Sequence, residues 1–306
     1  MIALDARSCQ KGGERAVRGA KTRRLGSCWD EREDSMRLFQ CGCEFVGASS
    51  ALFAAPGAGG AFAPPPKSGG PVPASLLEDL AAASRILAMQ GVVDGFGHVS
   101  LRHPDAPDRF FMSRALAPAL VTPGDIMEFT LDSVACEDKG RSGFLERFIH
   151  GQIFKARPDV NAVAHSHSPS VIPFGLVDVK MRAMFHNAAF LNEGVPVFDI
   201  FEEFGATDML VGNNEKGVAL AKCLGAHSVC LMRAHGSVAV GPSLPMAVFR
   251  AVYTEVNARV QTAATLMSNG GQVAGLNGDE ATLADVVNQG AGMRAWDLWR
   301  KQVAPL

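Results

Sequence analysis

Between Ala55 and Ala74 the chain reads APGAGGAFAPPPKSGGPVPA. Proline fixes φ and removes a backbone donor, and glycine loses the most conformational freedom on folding. A run of both resists helix and strand alike and reads as linker. The segment before it is polar and basic, with Arg7, Lys11, Arg15, Arg18, Lys21, Arg23 and Arg24. Asp5, Glu14, Glu31 and Glu33 oppose an organellar presequence there. We therefore expect residues 1–74 to be a low-complexity, disordered extension and the folded part to begin at Ser75.

From that point the pattern is globular. SLLEDLAAASRILAMQG has apolar residues at helical spacing, with Ser75 as N-cap and Gly91 as C-cap. GHVSLRHP, RFFMSR and IMEFTLD read as short strands between turns. LERFIHGQIFKARPD is a helix that stops at Pro158, and VNAVAHSHS and VPVFDI are strands. NEKGVALAKCLG is a helix, SVCLMRAHGSVAVG holds one or two strands, and Leu244 to Leu266 is a long helix. Helices and strands alternate irregularly, which predicts an α/β class. The 306 residues allow one sizeable core with an appendage.

Composition excludes some partners. The formal net charge is -2, which gives no electrostatic reason for nucleic acid or an anionic membrane surface. No apolar run approaches the roughly 20 residues of a membrane span. Seven scattered Cys, with no CxxC pair, read as reduced thiols in a cytoplasmic protein.

His165-Ser166-His167 is the strongest chemical signal. Residues i and i+2 of a strand share a face, so two imidazoles can hold one metal ion. His235 closes a second apolar strand and precedes Gly236, which lets the backbone turn close to a bound group. Three His suit zinc, manganese, cobalt or iron, with coordination open to a substrate. Glu146 and His150 share a face of the helix that leads into the first of these strands. A carboxylate there serves as ligand, as general acid/base, or as both. Gly97-His98-Val99-Ser100 is a tight turn able to cradle an anion, and Ser113-Arg114 can bind a carboxylate.

Taken together and in order, these elements resemble the class II aldolase/adducin family over about residues 75–275, with residues 276–306 left as a helical tail. The family pattern is a Gly-Asn-x-Ser turn, a Glu, an HxH strand and a later Asn-His-Gly. Here Gly97-His98-Val99-Ser100, Glu146, the nineteen-residue step to His165, and Ala234-His235-Gly236 stand in those places. The resemblance implies a single domain with a central, mostly antiparallel sheet flanked by helices. It also implies metal ligation by His165, His167, His235 and Glu146, and a homotetramer with sites at subunit interfaces.

Two departures direct the chemistry. Phe144-Leu145 stand where sugar-phosphate aldolases carry two Ser, and apolar side chains cannot donate to a phosphate. The only Tyr is Tyr253, in the late helix, and His186 is the candidate offered by MFHNAAF. The variant is similar to the family's decarboxylase branch. That implies a non-oxidative, divalent-metal-dependent decarboxylase of a hydroxylated aromatic or heteroaromatic dicarboxylate, with no organic cofactor. Scission leaves an electron pair that a metal-bound oxygen takes up as an enolate. Ser113 and Arg114 are expected to fix the second carboxylate, with Gly97, His98, Ser100 and Tyr253 also against substrate. Glu146, His150 or His186 is expected to deliver the proton, and from Glu146 that requires a pKa raised by burial. The rival readings are an aldolase for a non-phosphorylated hydroxy-oxo acid or sugar acid, a metal-dependent oxygenase, and a non-catalytic adducin-like module.

Overall fold

The computed structural model describes residues 64–303. The expected extension therefore lies outside the described residues up to position 63. Its last part, residues 64–73, forms no helix or strand but is tied to the sheet. Gly69 N and Ser68 Oγ donate to the Glu128 carboxylate at 2.6 and 2.5 Å, and the Gly70 carbonyl meets His103 Nε2 at 3.2 Å. Linker composition and a fixed path coexist here because an acceptor outside the segment supplies the hydrogen bonds.

Helix α1 spans Ala74–Met89. It starts after Pro73 with no side-chain cap, so Ser75 lies in the first turn rather than at the N-cap. Proline's fixed φ presets the turn without a capping hydroxyl. The helix ends at Gln90, and Gly91 follows with φ +70°, the left-handed conformation that glycine adopts freely.

Seven strands follow: β1 His98–Arg102, β2 Arg109–Ser113, β3 Ile126–Thr130, β4 Ala162–Ser166, β5 Val197–Phe198, β6 Val229–Met232 and β7 Gly236–Gly241. They form one sheet in the order β3-β2-β1-β4-β7-β6-β5. Every pairing is antiparallel except β5 with β6. The segment read as one or two strands is thus the β6–β7 hairpin, and VPVFDI shrinks to a two-residue edge.

Side chains alternate across the pleat and fill two cores. On one face Val99, Phe111, Ala162, Ala164, Leu231 and Ala239 pack with α1, with α5 (Leu244–Met267) and with α6 (Gly278–Gln302). Trp296 and Trp299 of α6 are buried in that core. On the other face Phe110, Met112, Val163 and Val238 pack with α2 (Arg147–Ala156) and α4 (Asn214–Leu224). A short helix, α3 (Ile200–Phe204), links β5 to the α4 region. Ile149, Ile153 and Phe154 anchor α2, each contributing about 1.5–3 kcal/mol by full burial. None of the helices among the described residues is long and apolar enough to cross a membrane.

Candidate metal centre and its cavity

Strand register creates the site. His98 of β1 is the Cα partner of His165 of β4, and both sit on the α2 face of the sheet. His167 lies one residue beyond β4, and the i, i+2 relation holds: its Nε2 is 3.2 Å from His165 Nε2. His235 Nε2 is 3.0 Å from His167 Nε2. Two backbone carbonyls orient the pair that flanks His167. His165 Nδ1 lies 3.1 Å from Ser237 O, and His235 Nδ1 lies 3.1 Å from Met209 O. Each Nδ1 is therefore the N–H donor, which leaves a lone pair on each Nε2 aimed at the shared centre.

Glu146 completes the cluster. It is the residue before α2, with φ -94° and ψ 21°, so it is not in helical register with His150. Glu146 Oε1 accepts from Val211 N at 2.9 Å, while Oε2 lies 3.5 Å from His165 Nε2 and 3.4 Å from His235 Nε2. One ligand atom from each of Glu146, His165, His167 and His235 lies within 4.8 Å of the other three. Three imidazole lone pairs and one carboxylate oxygen at that spacing fit a divalent cation.

Electrostatics agree with ligation. Burial alone would push the Glu146 carboxyl up, but the adjoining His165 and His235 rings hold it well below the ordinary carboxylate range. The raised value that proton donation by Glu146 requires is thus opposite in direction to its surroundings. His167 is lowered to about 4 by burial first and by His165 and His235 next, so it stays neutral. For His235 the burial penalty is outweighed by Glu146, and its pKa is raised.

Two glycines make the approach possible. A Cβ on Gly97 (φ +97°) would sit 2.5 Å from Val93 Cγ1 and 3.0 Å from the His165 carbonyl oxygen. A Cβ on Gly236 would sit 2.0 Å from the Ser166 carbonyl oxygen. Gly236 thus lets β7 close onto β4. Ala234, just before His235, has φ +54°, a conformation uncommon outside glycine.

A cavity of about 730 Å³ opens over the cluster, lined by Phe96, Gly97, His98, Leu116, Phe144, Leu145, Glu146, His165, His167 and Leu210 among others. The Phe96 ring stacks on His167 (6.3 Å between centroids, 26°), and Phe144 tilts against His98 (4.6 Å). Phe96 and Leu145 are 68% and 67% exposed at its mouth. Among the described residues that line it there is no Lys or Arg.

Other expected site residues lie elsewhere. Arg114 does not line the cavity; its Nε donates to Asp125 Oδ1 at 2.7 Å. Ser113 is buried and also absent from the lining. His150 and Ser100 are wholly buried behind His98. Burial first, then the neighbouring histidines, drives the His98 and His150 pKa values well below the usual range. His186 and Tyr253 line a second cavity of about 460 Å³ beside α6, to which no residue of the cluster contributes. Sequence reasoning missed Phe96 and Leu116, for an apolar residue beside a turn carries no signal until the walls are assembled.

A family model described as the class II aldolase and adducin N-terminal domain matches residues 78–262. Decarboxylase tropJ of Talaromyces stipitatus is 36% identical over 258 residues, covering 76% of this chain and 96% of that protein. A 3,4-dihydroxyphthalate decarboxylase of Rhodococcus jostii is 28% identical, covering 74% and 93%. Among solved structures, an L-fuculose 1-phosphate aldolase from Glaciozyma antarctica superposes with a TM-score of 0.63 at 23% identity, covering 77% of this chain and 94% of that one. That likeness carries the fold, and the matched family is the one that the four motifs resemble. The chain belongs to the class II aldolase and adducin family.

Proposed function

We propose that this chain is a divalent-metal-dependent lyase that removes CO2, without oxidation, from an aromatic or heteroaromatic carboxylate bearing a neighbouring hydroxyl. The observation that carries the reading is the convergence of His165, His167, His235 and Glu146 beneath a cavity with aromatic walls. The decarboxylase names of two relatives support the choice of reaction, and one of those names specifies a dihydroxylated aromatic dicarboxylate.

His165, His167, His235 and Glu146 would hold the ion, zinc or manganese first, with cobalt or iron as alternatives. Bound there, it would supply Lewis acidity to the substrate oxygens. The chain's own residues shape the rest. Phe96 and Phe144 supply aromatic walls, and Leu116, Leu145 and Leu210 add apolar surface beside them. A proton adds to the ring carbon that bears the carboxylate, the C–C bond then breaks with its electron pair passing into the ring and onto the adjacent oxygen, and CO2 departs as the ring regains aromaticity. His150 does not touch the substrate, because His98 stands between it and the cavity. Arg114 is engaged by Asp125, so a second carboxylate would meet neutral groups such as His98 rather than a guanidinium.

We further propose a cytoplasmic homotetramer. Leu283, Val286 and Val287 form an exposed apolar face of α6 at helical spacing, which supports burial against another copy. His186 and Tyr253 lie beside that helix and would enter catalysis only through such an assembly.

The test is metal quantification on the purified chain, followed by a screen of hydroxylated aromatic carboxylates, 3,4-dihydroxyphthalate included, for CO2 release. One ion per chain and CO2 are expected. Aldehyde or pyruvate release would favour the aldolase reading, and oxygen consumption an oxygenase. Absence of both metal and turnover would leave an adducin-like binding module. His165→Ala should lose the ion and the activity together, since the remaining ligands cannot close the site. Full metal content and normal turnover in that variant would refute the proposal.

A further inference from the structure

A string of hydrogen bonds runs from the cavity wall into the core. His98 Nδ1 lies 2.7 Å from His150 Nε2, and His150 Nδ1 lies 2.6 Å from Ser100 Oγ. Of the three, only His98 lines the cavity. β1 places His98 and Ser100 two residues apart on one face of the sheet, and α2 lowers His150 between them.

In a neutral imidazole one ring nitrogen carries the proton and the other a lone pair. The roles along the string are therefore coupled, and only two directions are open. In the first, Ser100 O–H donates to His150 Nδ1, and His150 Nε2–H donates to His98 Nδ1. His98 is then left with its proton on Nε2. In the second, His98 Nδ1–H donates to His150 Nε2, and His150 Nδ1–H donates to Ser100 Oγ. The Ser100 hydroxyl hydrogen then has no acceptor, since Oγ has no second partner among the described residues. Ser100 is wholly buried, so no bulk water can take that hydrogen. A buried donor left unpaired is disfavoured, and the first direction wins.

We propose that Ser100, acting through His150, locks His98 as the Nε2–H tautomer, and that His98 thereby presents a fixed, neutral N–H donor to an anionic oxygen of the substrate. His98 is the catalytic residue of the three; His150 and Ser100 position it. The proposal deepens, and rests on, the reading of this cavity as a decarboxylase site. The string also ends blind. If His98 gave its proton to carbon, it would draw one from His150 and His150 one from Ser100, leaving an alkoxide in an apolar core. His98 therefore binds an oxygen without net proton transfer, and the proton that replaces CO2 comes from outside the string. A carboxylate or phenolate oxygen of the substrate matches such a donor, in a cavity whose described lining carries no Lys or Arg.

The test uses the full chain loaded with zinc and labelled with 15N in histidine. Long-range 1H–15N spectra report the tautomer of each ring, and the signals lost in His98→Asn identify His98. Protonated Nε2 and unprotonated Nδ1 on His98 are expected. Ser100→Ala should shift His98 away from that single tautomer. A proton on His98 Nδ1 in the unsubstituted protein, or an imidazolium, overturns the proposal whether or not a substrate is known. Kinetics give a second arm. Ser100→Ala should lower kcat by about tenfold or more at unchanged metal content, within the range for a misdirected donor. In a His98→Asn background, where an amide donates without tautomers, the same substitution should change kcat by less than about twofold. Equal effects in both backgrounds overturn the proposal. Should no hydroxylated aromatic carboxylate be decarboxylated, the spectra still judge the string, and only the reading of the reaction fails.

Discussion

Ser166 pairs with Ser237 across β4 and β7, and the neighbouring Gly236 comes so close to it that one added carbon on the glycine would lie 2.0 Å from the Ser166 carbonyl oxygen. The contact sets the distance between the strand that carries His165 and the turn that carries His235. Gly236→Ala must push β7 away from β4, and backbone is what it would push. We expect a loss of about 1–3 kcal/mol of stability, typical of overpacking, together with weakened metal binding. Thermal unfolding and metal titration of the variant check both. A stable variant that has lost its metal would show the contact to matter for geometry rather than for folding.

Arg114 separates an expectation from what the structure shows. Read as sequence, Ser113-Arg114 is a carboxylate clamp; in the fold, the guanidinium belongs to Asp125 and lies outside the cavity lining. Arg114→Gln should therefore raise KM by less than about tenfold, as expected of a group outside the transition-state contacts. A KM rise of about a hundredfold with an aromatic dicarboxylate, at unchanged metal content, would return Arg114 to the substrate.

Asp125 itself should show a pH signature. Burial raises its pKa, but hydrogen bonds from Thr122, then the Arg114 bond and charge, outweigh that and pull it below 3.8. A carboxylate with a depressed folded-state pKa stabilises the fold above its unfolded value and loses that contribution as pH falls through the folded one. The stability gap between the parent and Asp125→Asn should hence be constant from pH 7 to about 5 and shrink only below 3.8. The Arg114 side chain is 39% exposed, so solvent screening keeps the ion-pair part of that gap to about 1 kcal/mol or less. Urea denaturation at a series of pH values measures it.

What could be read in advance follows from how local each signal is. The HxH pair needed only the two-residue period of a strand, and it stands at the end of β4 with its Nε2 atoms 3.2 Å apart. The alternating apolar residues of β1, β2 and β3 likewise announced their strands. The sequence reads Glu146 and His150 onto one helix, whereas α2 begins one residue after Glu146, for helix starts are set by packing as much as by composition. The partner of Arg114 was not legible either. Asp125 is eleven residues away, held in place by the turn that Thr122 caps. The His98–His150–Ser100 string joins residues about fifty positions apart, and no local pattern marks it.

The aromatic wall supplies the last prediction. Phe144 tilts against His98 with centroids 4.6 Å apart and forms one side of the slot above the Glu146, His165, His167 and His235 cluster. An aromatic ring bound there would gain about 0.5–1.5 kcal/mol from ring–ring contact beyond its area burial. Phe144→Ala removes that contact and widens the slot without altering any of the four clustered side chains. We expect KM to rise by about tenfold, which corresponds to about 1.4 kcal/mol, with kcat changed by less than about threefold. Bulkier ring substituents should be accepted better by the variant than by the parent. Steady-state kinetics with the best substrate from the CO2 screen decide the matter. A collapse of kcat at constant KM would mean that Phe144 acts on the transition state through His98 rather than as a wall for the ground-state ring.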